Sequence, residues 1–213
     1  MNRQIIIITA FLMILIAGVF LFRQKNNSNL VNDQTISPVQ SSSTASSAVF
    51  ALPISAATSR ITKKPFGIYV TPQNSPVSPE RFTGYHTGVD FETTPAEANI
   101  DVPIFAICDG KLSLKESASG YGGVAVESCM LDGSPITVIY GHIKITSVTA
   151  SVGDDLRKGE QIAVLGKGYS SETDGERKHL HLGIHKGTGV NILGYVQNKS
   201  QLANWLNFAD YLK

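Results

Sequence analysis

The chain has 213 residues, 42% hydrophobic and 16% charged, with 18 Lys+Arg against 17 Asp+Glu. That balance suits one globular domain with appendages and excludes a highly charged, coreless chain. From residue 26 onward 15 basic residues face 17 acidic ones with no basic run, which argues against nucleic acid as a partner.

In chain order, the first feature is Ile5 to Phe22, 18 residues without a charge. A helix of about that length crosses the hydrocarbon core of a bilayer. A cleaved signal peptide has a shorter apolar core, ~7–15 residues, and ends in small residues. Here the run ends in "FLFRQKNN". Residues 1–25 are therefore expected to form a single-pass transmembrane anchor. Arg3 and the amino terminus oppose Arg23 and Lys25, so the positive-inside rule sets no orientation. Residues 26–60 shift to Ser, Asn, Gln, Thr and Ala, with "SSSTASSA" at 42–49. So few large apolar residues bury no core, and a flexible linker is expected.

Residues 61–213 carry a β rhythm. Short apolar runs at 66–71, 88–92, 103–108, 111–117, 122–130, 136–142, 145–150, 161–166 and 179–185 are separated by turn clusters such as "SGYGG" and "LDGSP". Evenly spaced short strands of this kind predict an all-β domain, an antiparallel sandwich or barrel. A short C-terminal helix is expected in "SQLANWLNFADYL", where Leu202, Trp205, Leu206, Ala209 and Leu212 recur at helical spacing behind Ser200. Cys108 and Cys129 are the only cysteines. Outside the cytoplasm such a pair is commonly oxidised, and two buried thiols are the alternative.

Three of the five histidines stand at alternate positions in "HLHLGIH": His179, His181 and His185. Period-two alternation puts them on one face of a strand, with Leu180, Leu182 and Ile184 on the other. His86 and Asp90 form an H-x-x-x-D pair in "GYHTGVDFE", and His142 ends another predicted strand. Zinc takes imidazole nitrogens and carboxylate oxygens, and a catalytic site has three protein ligands with one position left open. Each motif by itself is a weak signal.

Their order and surroundings resemble those of the lysostaphin-type zinc metallopeptidases, bacterial peptidoglycan endopeptidases of barrel-sandwich-hybrid fold. The likeness runs through "PFG" (65–67), "GYHTGVDFE" (84–92), "VPIFAICDGKL" (102–112), "GYGG" (120–123), "VIYGHI" (138–143), "VGDDLRKGEQIAVLGKG" (152–168) and "HLHLGIH" (179–185). It implies that His86, Asp90 and His181 bind one Zn²⁺, and that His142 and His179 are catalytic without binding metal. It also implies a peptidoglycan peptide as substrate, and hence a domain facing outside the cytoplasmic membrane. No H-E-x-x-H motif supplies a glutamate base, so the proton carrier falls to His142 or His179. His185 matches no role and is expected to pack or lie at the surface. "SETDGERK" (171–178) departs from the pattern in its charge and is expected to form a groove wall; the loop within 90–103 and "SGYGG" are further wall candidates. The alternative function is a catalytically inactive envelope regulator of the same fold. A biotinyl- or lipoyl-carrier reading of "SVGDDLRKGEQIAVLG" leaves the histidines unexplained. Oligomeric state is not legible.

Overall fold

The computed structural model describes residues 48–212. The expected anchor, and most of the expected linker, lie outside the described residues. Among the described residues no helix is long and apolar enough to cross a membrane.

The strands are β1 (Tyr69–Val70), β2 (Gly84–His86), β3 (Gly88–Glu92), β4 (Pro103–Phe105), β5 (Gly110–Ala118) and β6 (Gly122–Leu131). They continue with β7 (Ser134–Gly141), β8 (Asp155–Leu156), β9 (Gln161–Val164), β10 (His179–Lys186), β11 (Tyr195–Val196) and β12 (Trp205–Leu206). The seven-stranded sheet runs β12-β10-β7-β6-β5-β8, with β3 also on β10, and every pairing is antiparallel. β3 lies beside residues 179–183 of β10 and β12 beside residues 184–185, so the two share one edge of that strand. A three-stranded sheet, β1-β2-β11, and the β4–β9 ribbon complete the fold.

Local chemistry explains the long central hairpin. Leu131 pairs with Ser134 across Asp132 and Gly133, whose φ values are +48° and +77°. A two-residue turn with both central residues left-handed matches strand twist, and Asp-Gly is its favoured sequence. Alternation then sorts the faces. Val89, Phe91, Leu180, Leu182, Ile184, Val138 and Tyr140 point into one core, which Ile104 and Phe208 close. Asp90, His179 and His181 occupy the alternate positions and so share the opposite face.

The all-β expectation is met, with three corrections. The run at 145–150 is a 3-10 turn, Ile145–Ser147, rather than a strand. The C-terminal helix is replaced by 3-10 turns at Lys199–Asn204 and Phe208–Tyr211, with β12 between them. Helical spacing misled because a 3-10 turn shares the three-residue repeat. Asn198, not Ser200, caps the first turn, and Asn207 accepts from the Ala209 N–H to start the second, which divides the segment. The third correction concerns the boundary at residue 61. Phe50, Ile54 and Ala57 are buried in the main core, and Arg60 forms a two-pronged pair with Glu97 at 2.8 and 2.7 Å. The domain therefore includes residues 48–60. Cys108 and Cys129 are joined in a disulfide.

Candidate metal centre and its groove

The centre is built where three strands meet. His86 ends β2, Asp90 is the middle residue of β3, and His181 faces Asp90 across the β3–β10 ladder. His86 Nε2 is 3.2 Å from Asp90 Oδ1 and 3.0 Å from His181 Nδ1; His181 Nδ1 is 3.2 Å from the same oxygen. Each residue is at most 4% exposed. His86 Nδ1 donates to the Pro65 carbonyl at 3.2 Å, which fixes the ring and leaves Nε2 as a bare lone pair aimed at the cluster.

These donors fit a small divalent cation. A tetrahedral zinc site with bonds of 2.0–2.1 Å separates its ligand atoms by about 3.3 Å, close to the spacing found. Two imidazole nitrogens and one carboxylate oxygen, with room for a fourth ligand, are the donor set of a hydrolytic zinc site. Burial by itself would raise the Asp90 carboxyl, but His179 and His86 hold it well below the usual range. Burial lowers His181 to about 4, so it remains a neutral ligand.

His142 and His179 stand beside the three donors, with ring centroids 4.2 Å apart. Plain alternation would have sent His142 into the core, since Tyr140 already points there. Its φ of +62° turns the chain out of β7 and brings the ring into the groove instead. Non-glycine residues seldom adopt that conformation, and it is concentrated at functional sites. Burial, helped by His179, pushes His142 well below the ordinary histidine range, and its buried Nδ1 has no hydrogen-bond partner among the described residues. His179 Nδ1 donates to the Arg177 carbonyl at 2.9 Å, and its Nε2 is 3.3 Å from Asp90 Oδ2.

The groove has a volume of about 310 Å³. "SGYGG" supplies a wall through Tyr121, whose ring lies 5.4 Å from both His142 and His181. That ring occupies the space over Gly141, where a Cβ would come within 2.4 Å of it. "SETDGERK" supplies Glu176, which Arg81 holds at 3.3 Å. The loop within 90–103 does not line this groove: its Pro95–Glu97 turn is tied to Arg60. His185 is remote from the cluster and packs edge-on against Trp205, centroids 4.9 Å apart.

Sequence reasoning missed Lys64, Tyr195 and Arg177. Tyr195 lies against His86 at 5.3 Å and stacks on Phe82 at 5.5 Å. Nothing local marked Lys64 or Tyr195. Arg177 was signalled by parity, two residues before His179 and thus in the same row.

The fold and cluster define an all-β domain with a buried His–Asp–His site at the floor of a groove. Residues 84–192, just over half of the chain, match Peptidase family M23, and the chain belongs to that family. The catalytic domain of lysostaphin from Staphylococcus simulans is 22% identical over 70% of this chain and 88% of its own, with a TM-score of 0.47. LytU is 25% identical over 70% and 81%, with a TM-score of 0.48. A chain of the SpoIIIAH–SpoIIQ complex is 20% identical over 71% and 98%, with a TM-score of 0.47. A comparison with curated proteins gives no match.

Proposed function

We propose that the domain is a zinc-dependent endopeptidase that hydrolyses peptide cross-links of bacterial peptidoglycan. One observation carries this reading: His86 Nε2, Asp90 Oδ1 and His181 Nδ1 converge within 3.2 Å beside two further imidazoles, those of His142 and His179. Zinc held there would polarise the scissile carbonyl and acidify water at neutral pH. His142, neutral through burial, takes the proton released as water attacks. His179 steadies the negative charge that develops on the substrate oxygen. Tyr121 and Glu176 line the groove in which the peptide lies. Family membership supports the peptidase class, and the wall substrate follows from the sequence resemblance.

The same reading places the domain outside the cytoplasmic membrane, held by residues 1–25. Its support is the uncharged run Ile5 to Phe22 and the location of the substrate.

The test is digestion of purified muropeptides by the zinc-loaded protein, with products read by mass spectrometry. Peptide-bond cleavage that a chelator abolishes is the expected result. Folded protein that takes up zinc but cleaves no muropeptide would sink the endopeptidase reading and favour an inactive regulator.

A further inference from the structure

Asp90 has one oxygen in the donor cluster, and its other oxygen is already engaged. Oδ2 accepts from Arg177 Nη2 at 2.9 Å, with His179 Nε2 at 3.3 Å and the Lys64 ammonium in ion-pair contact at 3.7 Å. Both cations are buried, Arg177 at 8% exposure and Lys64 at 4%. Each is anchored from behind. Arg177 Nε donates to Glu92 Oε2 at 2.9 Å, and its Nη2 also reaches Glu92 Oε1. Lys64 Nζ donates to Tyr195 Oη at 2.6 Å and to Glu80 Oε2 at 3.1 Å.

Charge neutralisation by itself does not call for this arrangement. Lys64 has Glu80 as a partner, and Arg177 has Glu92, which the more exposed Lys63 also approaches at 3.6 Å, so each buried cation has a carboxylate besides Asp90. What the pair does is geometric. Asp90 and Glu92 are alternate residues on one face of β3, and Arg177 precedes His179 by two in the row opposite. The planar guanidinium donates through Nε and Nη2 to Glu92 while Nη2 reaches Asp90, a fixed fork geometry that the single nitrogen of a lysine ammonium does not reproduce.

We propose that Arg177 and Lys64 are positioning residues for the metal centre: by occupying Oδ2 they fix the Asp90 carboxylate so that Oδ1 alone faces the cation. A carboxylate held in this way is a one-atom ligand rather than a chelating one, and the open position that a hydrolytic site needs is preserved. The inference rests on the zinc reading above, but it concerns affinity and coordination, which are measurable without substrate.

The test uses the full chain and the metals alone. Zinc affinity is measured by competition with a chromogenic chelator, and coordination by the visible spectrum after cobalt substitution. Arg177→Met is expected to weaken zinc binding about 10–100-fold. Its cobalt absorption should also fall, because a chelating carboxylate raises the coordination number. Arg177→Lys keeps the charge but loses the fork, and should lose about 2–10-fold. If Arg177→Met does not fold, Lys64→Met reports on the same oxygen and should shift both readouts in the same direction. Wild-type affinity together with a wild-type cobalt spectrum in the folded variants would overturn the inference and leave a purely structural ion pair. A wild-type chain that takes up neither metal would overturn the zinc reading itself, and this inference with it.

Discussion

Asp90 and His181 sit directly opposite each other in the β3–β10 ladder, with Oδ1 3.2 Å from Nδ1. Antiparallel pairing puts directly opposed side chains on the same face, so one register places carboxylate and imidazole together. A shift of one residue would send His181 into the core and bring Leu180 or Leu182 to the site. His86 joins from β2, four residues before Asp90. Replacing His86, Asp90 or His181 by Ala should therefore abolish zinc binding. Replacing His142 or His179 by Ala should leave zinc bound and lower the rate about 10²–10⁴-fold. Zinc content by atomic absorption, set beside turnover, checks the division. Release of metal by His179→Ala but not by His181→Ala would reverse the roles.

His185 shares the face of His181 but lies roughly 13 Å further along the strand. Its ring packs on Trp205, so His185→Ala should keep both zinc and activity and cost about 0.5–1.5 kcal/mol of stability. Denaturant unfolding beside a zinc assay measures both. Loss of metal would mean that the site extends beyond the five residues.

Glu127 gives stability a pH dependence unrelated to the metal. It is fully buried on β6; Tyr140 Oη donates to its Oε2 at 2.6 Å, and among the described residues Oε1 has no hydrogen-bond partner. Burial raises this carboxyl to about 7, from 4.5 when it is free. The folded state thus holds the proton more tightly, so this group's contribution is intact below about 4.5 and is lost as pH rises through 7. The loss is about 3 kcal/mol at full extent. Glu127→Gln should flatten the profile and gain on the wild type between pH 5 and pH 8. Parallel profiles over that range would show that Glu127 is ionised throughout.

The buried segment before residue 61 should prove part of the folded unit. A chain shortened to begin at Ile61 loses Phe50, Ile54 and the Arg60–Glu97 pair. Each large apolar side chain is worth about 1.5–3 kcal/mol when buried. Its melting temperature should fall well below that of a chain beginning at Ala48. Equal melting temperatures would return residues 48–60 to the linker.

The Cys108–Cys129 disulfide spans 21 residues of sequence. A loop of that size constrains the unfolded chain by about 3 kcal/mol. Reduction, or a double Cys→Ser replacement, should lower stability by roughly that amount while leaving zinc affinity unchanged, because both cysteines lie with the core cluster rather than the groove. A change in zinc affinity as large as the change in stability would show the bridge holding the site.

Much of the site was legible because strands make parity visible. H-x-H in an alternating run fixes two imidazoles on one face, and H-x-x-x-D, leading into the strand that pairs with it, supplies the other two donors of the cluster. The turn residues Asp132-Gly133 likewise announced the central hairpin. The C-terminal segment was misread because spacing of three and four residues does not separate an α-helix from two 3-10 turns. The buried start of the domain was missed because Phe50, Ile54 and Ala57 are sparse in a polar stretch, and burial depends on what packs above them.

The sequence by itself determined the antiparallel β class, the disulfide's only partners and the faces on which His179 and His181 lie, since these follow from period two and from residue identity. Only the tertiary structure decided where His142 points. Alternation assigns it to the core, and a left-handed backbone at that single residue, with Tyr140 filling the core position, brings it to His179 instead. It likewise decided that Lys64 and Arg177, 113 residues apart in sequence, meet on one oxygen of Asp90. Such contacts are set by register and packing between distant strands, and no local pattern of residues carries them.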